Sequence, residues 1–304
     1  MTKKNRNNSS RSKFRFSFLT QYLVTWFVFD ALYITAIFTL FSAFTPPVKD
    51  FFIFHSTGII LGTMVMFTGL GAGVIWIPML TFFNIPPAES VSISIFTQIA
   101  GKGIGSYNYI RARMVDLKVA RHFLPYAFAG VFIGYFSGYA ISVKFEKLLL
   151  IIFVIVASYL LFKMLQSLQW EKDSDTPPNR KALEKSGVIV VISSFFTGLL
   201  SIGNCDWLIP YMELHLKMPT SRAVATGLFV MFYSALFFLF LTFVSVFIGL
   251  RGWPESSPVL FATCSGVIIG GQIGTRLVRF EWLRSRQKHA FICMLAFSIL
   301  HLLW

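Results

Sequence analysis

Ser201, Gly203, Asn204 and Asp206 interrupt an otherwise apolar run, FTGLLSIGNCDWLIPY, between positions 196 and 211. An acid in such surroundings can take up a proton and couple its movement to a charged solute, because ionisable groups inside a bilayer are mostly functional. The same carboxylate can act as the N-cap of a helix from Trp207 to Leu216, and both roles stay open. An anionic Asp206 would repel an anionic cargo unless protonated. Ser201 and Asn204 add neutral hydrogen-bonding groups suited to an oxyanion, and equally to backbone partners. Gln98 and Lys102 stand four residues apart in another apolar run, hence on one helix face. The amide can donate to an anion's oxygen or bond a neighbouring helix. The ammonium can draw an anion inward or snorkel to the cytoplasmic face. Gly69, Gly71 and Gly73 break a third run, FTGLGAGVIWIPML. Where a helix restarts in mid-membrane, its first N–H groups lack internal partners and the macrodipole adds positive character. Such an end is an anion site without any charged side chain. The restarts at Gly73 and Asp206 are expected to face each other; close packing of small residues is the alternative.

These groups sit in a duplicated frame. Phe67 to Leu80 and Phe196 to Tyr211 both begin Phe-Thr-Gly-Leu and both reach a proline. Pro86 to Phe96 aligns with Pro219 to Phe229, and Gly130, Gly134 and Gly138 recur as Gly266, Gly270 and Gly274. Broken apolar segments in matching places of two halves point to a transporter whose site lies where the breaks meet. The four-residue glycine spacing reads as a helix-packing face.

The chain has 304 residues, of which 55% are hydrophobic and 13% charged, too little polar surface for a water-soluble globule of this size. Apolar runs of about 20 residues recur, each able to cross roughly 30 Å of hydrocarbon. They are continuous rather than alternating, which favours helices over a β-barrel. The net charge of +14 is concentrated in an N-terminal group, in Arg111 to Arg121 and in Arg276 to Lys288. Placed between membrane segments, these are cytoplasmic topology signals rather than a nucleic-acid surface. Cys205, Cys264 and Cys293 have no paired spacing, and the five histidines have no metal-ligand spacing. No metal or cofactor is expected, and His55 and His215 read as polar interface residues.

The expected fold is an all-α polytopic membrane protein. Residues 1–19 form a disordered basic cytoplasmic tail, and 20–50 an extra N-terminal transmembrane helix and loop carrying an unexplained Asp30. Residues 51–168 form the first repeat, 169–187 a cytoplasmic linker with Pro177-Pro178, and 188–304 the second repeat. Each repeat holds five helical pieces: a broken re-entrant hairpin followed by three spans. An odd number makes the second copy enter from the opposite side, and the shifted basic loops agree with an inverted repeat. The N-terminus is then cytoplasmic and the C-terminus periplasmic.

The glycine-rich break followed by proline, the proline turn into an Ala-Val or Ser-Val helix start, the Tyr-x-Arg-x-x-x-Val-Asp loop from Tyr109 to Asp116 and the GxxxG helices together resemble the TauE/SafE family of sulfite and organosulfonate permeases. The resemblance runs from about Gly58 to the C-terminus. It implies a bacterial inner-membrane carrier, expected to be an exporter, of small sulfur oxyanions or sulfonates, working by alternating access without its own ATPase. Family members often show runs of glycine at both breaks, whereas this chain has Gly71-Ala72-Gly73 and Gly203-Asn204-Cys205-Asp206. No nucleotide-binding loop, catalytic carboxylate pair or Ser/His arrangement is evident, so an enzyme is not expected. A passive anion channel and a membrane scaffold or assembly factor without flux remain as rival readings, and a homodimer is an open oligomeric state.

Overall fold

A computed structural model describes residues 48–68, 73–144, 146–167, 180–250 and 257–277, with scattered positions at 31–32, 252 and 289–300. The expected basic tail, most of the N-terminal helix with Asp30, Gly69, Gly71, the cluster from Arg279 to Lys288 and most of the last span fall outside the described residues. Every regular element within them is a helix. In chain order these are α1 (Val48–Thr68), α2 (Gly73–Phe82), α3 (Pro87–Arg111), α4 (Leu117–Lys144) and α5 (Glu146–Ser167). There follow α6 (Arg180–Lys185), α7 (Gly187–Leu200), α8 (Cys205–Leu214), α9 (Thr220–Phe247) and α10 (Ser257–Leu277). The linker expected at 169–187 thus includes a short helix, α6.

Helix starts follow local chemistry. Pro86 precedes α3 with φ −54° and ψ 141°, and Pro219 precedes α9 with φ −55° and ψ 139°. A proline holds that extended geometry without effort, and α3 also takes Pro87 as its first residue, where a missing N–H costs nothing. Asp116 caps α4, its Oδ1 accepting the N–H groups of Lys118 and Val119 at 3.0 and 3.2 Å. The short helices α2 and α8 are each ten residues long, and each carries proline at its sixth position, Pro78 and Pro210. At about 1.5 Å per residue neither can cross a bilayer alone.

Three stretches, Asp50–Phe67, Leu117–Ile141 and Arg222–Phe247, are long and apolar enough to cross a membrane. Helix α3, at 25 residues, is long enough as well, but Ser90, Ser92, Ser94, Gln98 and Lys102 make it more polar. All five are buried, so α3 keeps its polar groups against protein rather than lipid.

The two halves exchange their packing. Helix α1 lies on α10 and α4 on α7, the most extensive interfaces among the described residues. Gly266 and Gly270 sit on the carbonyls of His55 and Ile59; Gly130 and Gly134 sit on those of Val191 and Phe195. A Cβ at any of the four would overlap backbone, so only glycine allows this approach. Every member of one set lies 136 positions from its counterpart in the other.

At the centre α3 packs on α9. The Ser106 hydroxyl donates to the Leu228 carbonyl at 3.4 Å, and Gly103, a turn earlier, faces the ring of Phe232, a turn later. The Asp116 N–H, beyond the end of α3, donates to Thr226 Oγ1 near the start of α9 at 3.0 Å. The two helices are therefore antiparallel, as an inverted repeat requires.

One sequence alignment is corrected. Matching the two Phe-Thr-Gly-Leu segments would make Gly198 the counterpart of Gly69. Gly198 instead sits against Val131 as Gly62 sits against Val267, seven residues away from that alignment. Close glycine packing fixes register more strongly than a short identical string. His55 is also corrected: it is no interface residue, being buried with its Nδ1 2.7 Å from Ser265 Oγ on α10.

Candidate functional site

Ser94, Gln98 and Lys102 stand at four-residue intervals on α3 and form one stripe aimed at the break between α7 and α8. All three are essentially inaccessible to solvent, Lys102 at 0% exposure. The break begins at Ser201, which ends α7 in the left-handed region at φ 57°. Its N–H still closes the helix on the Thr197 carbonyl at 2.9 Å. The turn presents both Ser201 oxygens to α3. Gln98 Nε2 donates to the Ser201 carbonyl at 3.2 Å and to its Oγ at 2.9 Å. Ser201 Oγ donates onward to Ser94 Oγ at 2.8 Å.

Lys102 continues the chain of bonds. Its Nζ donates to Gln98 Oε1 at 2.7 Å and to Cys205 Sγ at 3.5 Å. The side chain thus turns inward rather than snorkelling. An ammonium carries three donors, and the described residues supply it with two acceptors, one of them a weak sulfur. Cys205 Sγ also lies 4.0 Å from Asp206 Oδ1, so the thiol stands between the cation and the acid.

Gly73 joins the two breaks. It begins α2 and rests directly on the Ser201 carbonyl, with the Ile202 N–H beside it. The structure therefore brings together Gly73, Gln98, Lys102, Ser201 and Asp206. Asn204 points elsewhere: its Nδ2 donates to Ser194 Oγ at 3.3 Å and Ser234 Oγ at 3.0 Å, on α7 and α9. Gly203 is buried in the break, its carbonyl accepting the Asp206 N–H at 3.0 Å.

That bond changes two expectations. Asp206 is not the N-cap of α8; Asn204 holds that place, without a capping side-chain bond, and Asp206 is the helix's second residue. The N–H groups of Asp206 and Trp207 turn back onto Gly203 and Asn204, so these two are not free anion donors. The positive character of the site comes chiefly from Lys102. Ser94, Cys205, Ser194 and Ser234 were not anticipated; Ser94 could have been, by extending the Gln98–Lys102 spacing one turn back. Among the described residues no group of acids, histidines and cysteines could hold a metal ion.

An antiparallel helical repeat built around two short broken helices, with a cation sealed where they meet, defines a polytopic membrane transporter. The family description "Sulfite exporter TauE/SafE" matches residues 54–302, and the chain belongs to that family. Among its relatives, the probable membrane transporter protein YunE of Bacillus subtilis is 25% identical over 62% of this chain and 76% of its own length. A probable membrane transporter protein of Methanocaldococcus jannaschii is 28% identical over 55% of this chain and 63% of its own. The probable membrane transporter protein MamO of Paramagnetospirillum magneticum is 23% identical over 74% of this chain, which spans only 39% of that larger protein. No solved structure matches significantly.

Proposed function

We propose that this transporter moves a small sulfur-containing anion, sulfite or an organosulfonate, by alternating access. The observation that carries this reading is Lys102, a wholly buried ammonium with more donors than the described residues accept. A buried charge without full compensation costs several kcal/mol, an arrangement best explained if an anion completes it. The Ser201 and Gln98 groups beside it offer the neutral hydrogen bonds an oxyanion needs, and Gly203 lies in the same break. Sealing of Lys102 from solvent favours a carrier over an open channel.

In this reading the basic residues after α3 face the cytoplasm of a bacterial inner membrane, with the N-terminus on the same side and the C-terminus periplasmic. Transport is export, and Asp206 couples it to protons. The test is flux of radiolabelled sulfite in proteoliposomes. Lys102→Met, close in volume but uncharged, is expected to fold at least as well as wild type and to lose flux by about a hundredfold, as loss of a charge-assisted contact implies. Wild-type flux in Lys102→Met would remove the proposal.

A further inference from the structure

A cleft runs beside the cluster, between α3, α4, α5, α7 and α9. Its wall includes Val91 and Ser92, two or three residues before Ser94, and Gly198 and Leu199, which precede Ser201. Its void, counted with its open mouth, is about 290 Å³, while the enclosed part has room for about one water. Tyr135 lines it at 2% exposure, with its ring edge-on to Phe238 at 4.9 Å. The Tyr135 hydroxyl is buried and has no hydrogen-bond partner among the described residues.

A buried hydroxyl without a partner is rare in a native fold and calls for an explanation. Ser92 and Tyr139 share the cleft wall with it, yet no described residue bonds the hydroxyl. The cleft is the open space that the residue adjoins, and its enclosed part has room for one oxygen atom of an oxyanion. The repeat sharpens the point. At the 136-residue offset of the glycine packing, Tyr135 corresponds to Gly271, so the other half has no hydroxyl in this place. The tyrosine is an addition to the duplicated frame.

We infer that the cleft is a second anion station, at the face of the bundle where α3 begins. There the Tyr135 hydroxyl donates to one sulfonate or sulfite oxygen while the rest of the molecule occupies the mouth. From it the anion passes to Ser94, Ser201 and Lys102. This rests on the transport reading above and specifies a route for it.

The experiment uses the full chain in proteoliposomes of known orientation, with sodium sulfite and sodium methanesulfonate as probes. Tyr135→Phe removes the hydroxyl alone and breaks no hydrogen bond among the described residues, so its unliganded Tm is expected to equal or exceed that of wild type. Its KM is expected to rise about tenfold from the cleft side and to stay unchanged from the other. Gly138→Ala, whose added Cβ would meet Leu199 at an ordinary 3.4 Å, narrows the cleft and is expected to raise the same-side KM. Unchanged KM from both sides in both variants overturns the station. An equal rise from both sides also overturns it, placing Tyr135 in the central site. If wild type moves neither probe, the transport reading falls with it; if only Lys102→Met loses flux, that reading stands and the station alone falls.

Discussion

Gly73 rests on the carbonyl of Ser201: the first residue of α2 in one half touches the left-handed turn that ends α7 in the other. The two breaks thus form a single structural unit, and a change at either is felt at both.

Replacing Gly73 by alanine forces the new Cβ into the Ser201 backbone, which no rotamer can relieve. The expected cost is about 1–3 kcal/mol for alanine, with valine worse. Thermal melts in detergent should show the graded loss, and flux should fall in parallel. A valine variant as stable and active as wild type would mean that the breaks do not touch.

Ser201 combines an unfavourable backbone with favourable side-chain bonds. Ser201→Ala keeps the left-handed strain but loses the Oγ contacts with Gln98 and Ser94, at about 1–3 kcal/mol. Ser201→Gly loses the same contacts while relieving the strain, so it is expected to be about 1 kcal/mol more stable than Ser201→Ala. Equal melting of the two variants would contradict the left-handed turn.

Asp206→Asn keeps the size of the side chain and removes its titration. If the acid carries the coupling proton, the variant moves sulfite down its concentration gradient yet ignores an imposed pH gradient. A pH-driven response equal to wild type would place the coupling group elsewhere.

The repeated glycine contacts make a prediction about symmetry. Gly134 on Phe195 and Gly270 on Ile59 occupy the same register of two equivalent interfaces. Alanine at either should lower stability by similar amounts, within about 1 kcal/mol, and the double variant should approach their sum because the sites share no partner. Denaturation in detergent checks this; a much larger effect at one site would show that the interfaces are not equivalent.

How much was legible in the sequence depended on how local the cause was. Pro86 and Pro219 could be read directly, because a proline ring sets its own backbone angle. The glycines at four-residue spacing could also be read, since close helix approach leaves no other residue type. The common face of Gln98 and Lys102 followed from helix geometry, but the inward turn of Lys102 did not, because it depends on Cys205 more than a hundred residues away. Cys205 gave no signal, being an ordinary small residue of an apolar helix. The N-cap was misplaced by two residues because the Asp206 N–H is used within its own turn, a detail that side-chain type does not reveal. The Phe-Thr-Gly-Leu echo misled because chance identity over four residues is a weaker constraint than backbone contact.

The polar stripe on α3 has no twin. At the 133-residue offset between Pro86 and Pro219, Ser94, Gln98 and Lys102 answer to Gly227, Met231 and Ala235, all buried on α9. A carrier whose inward-open and outward-open forms arise by swapping the conformations of its halves would be energetically even-handed only if those halves were chemically alike. Here they are not, so cargo is expected to be held with unequal strength from the two sides of the membrane, while the final distribution still follows the driving gradients.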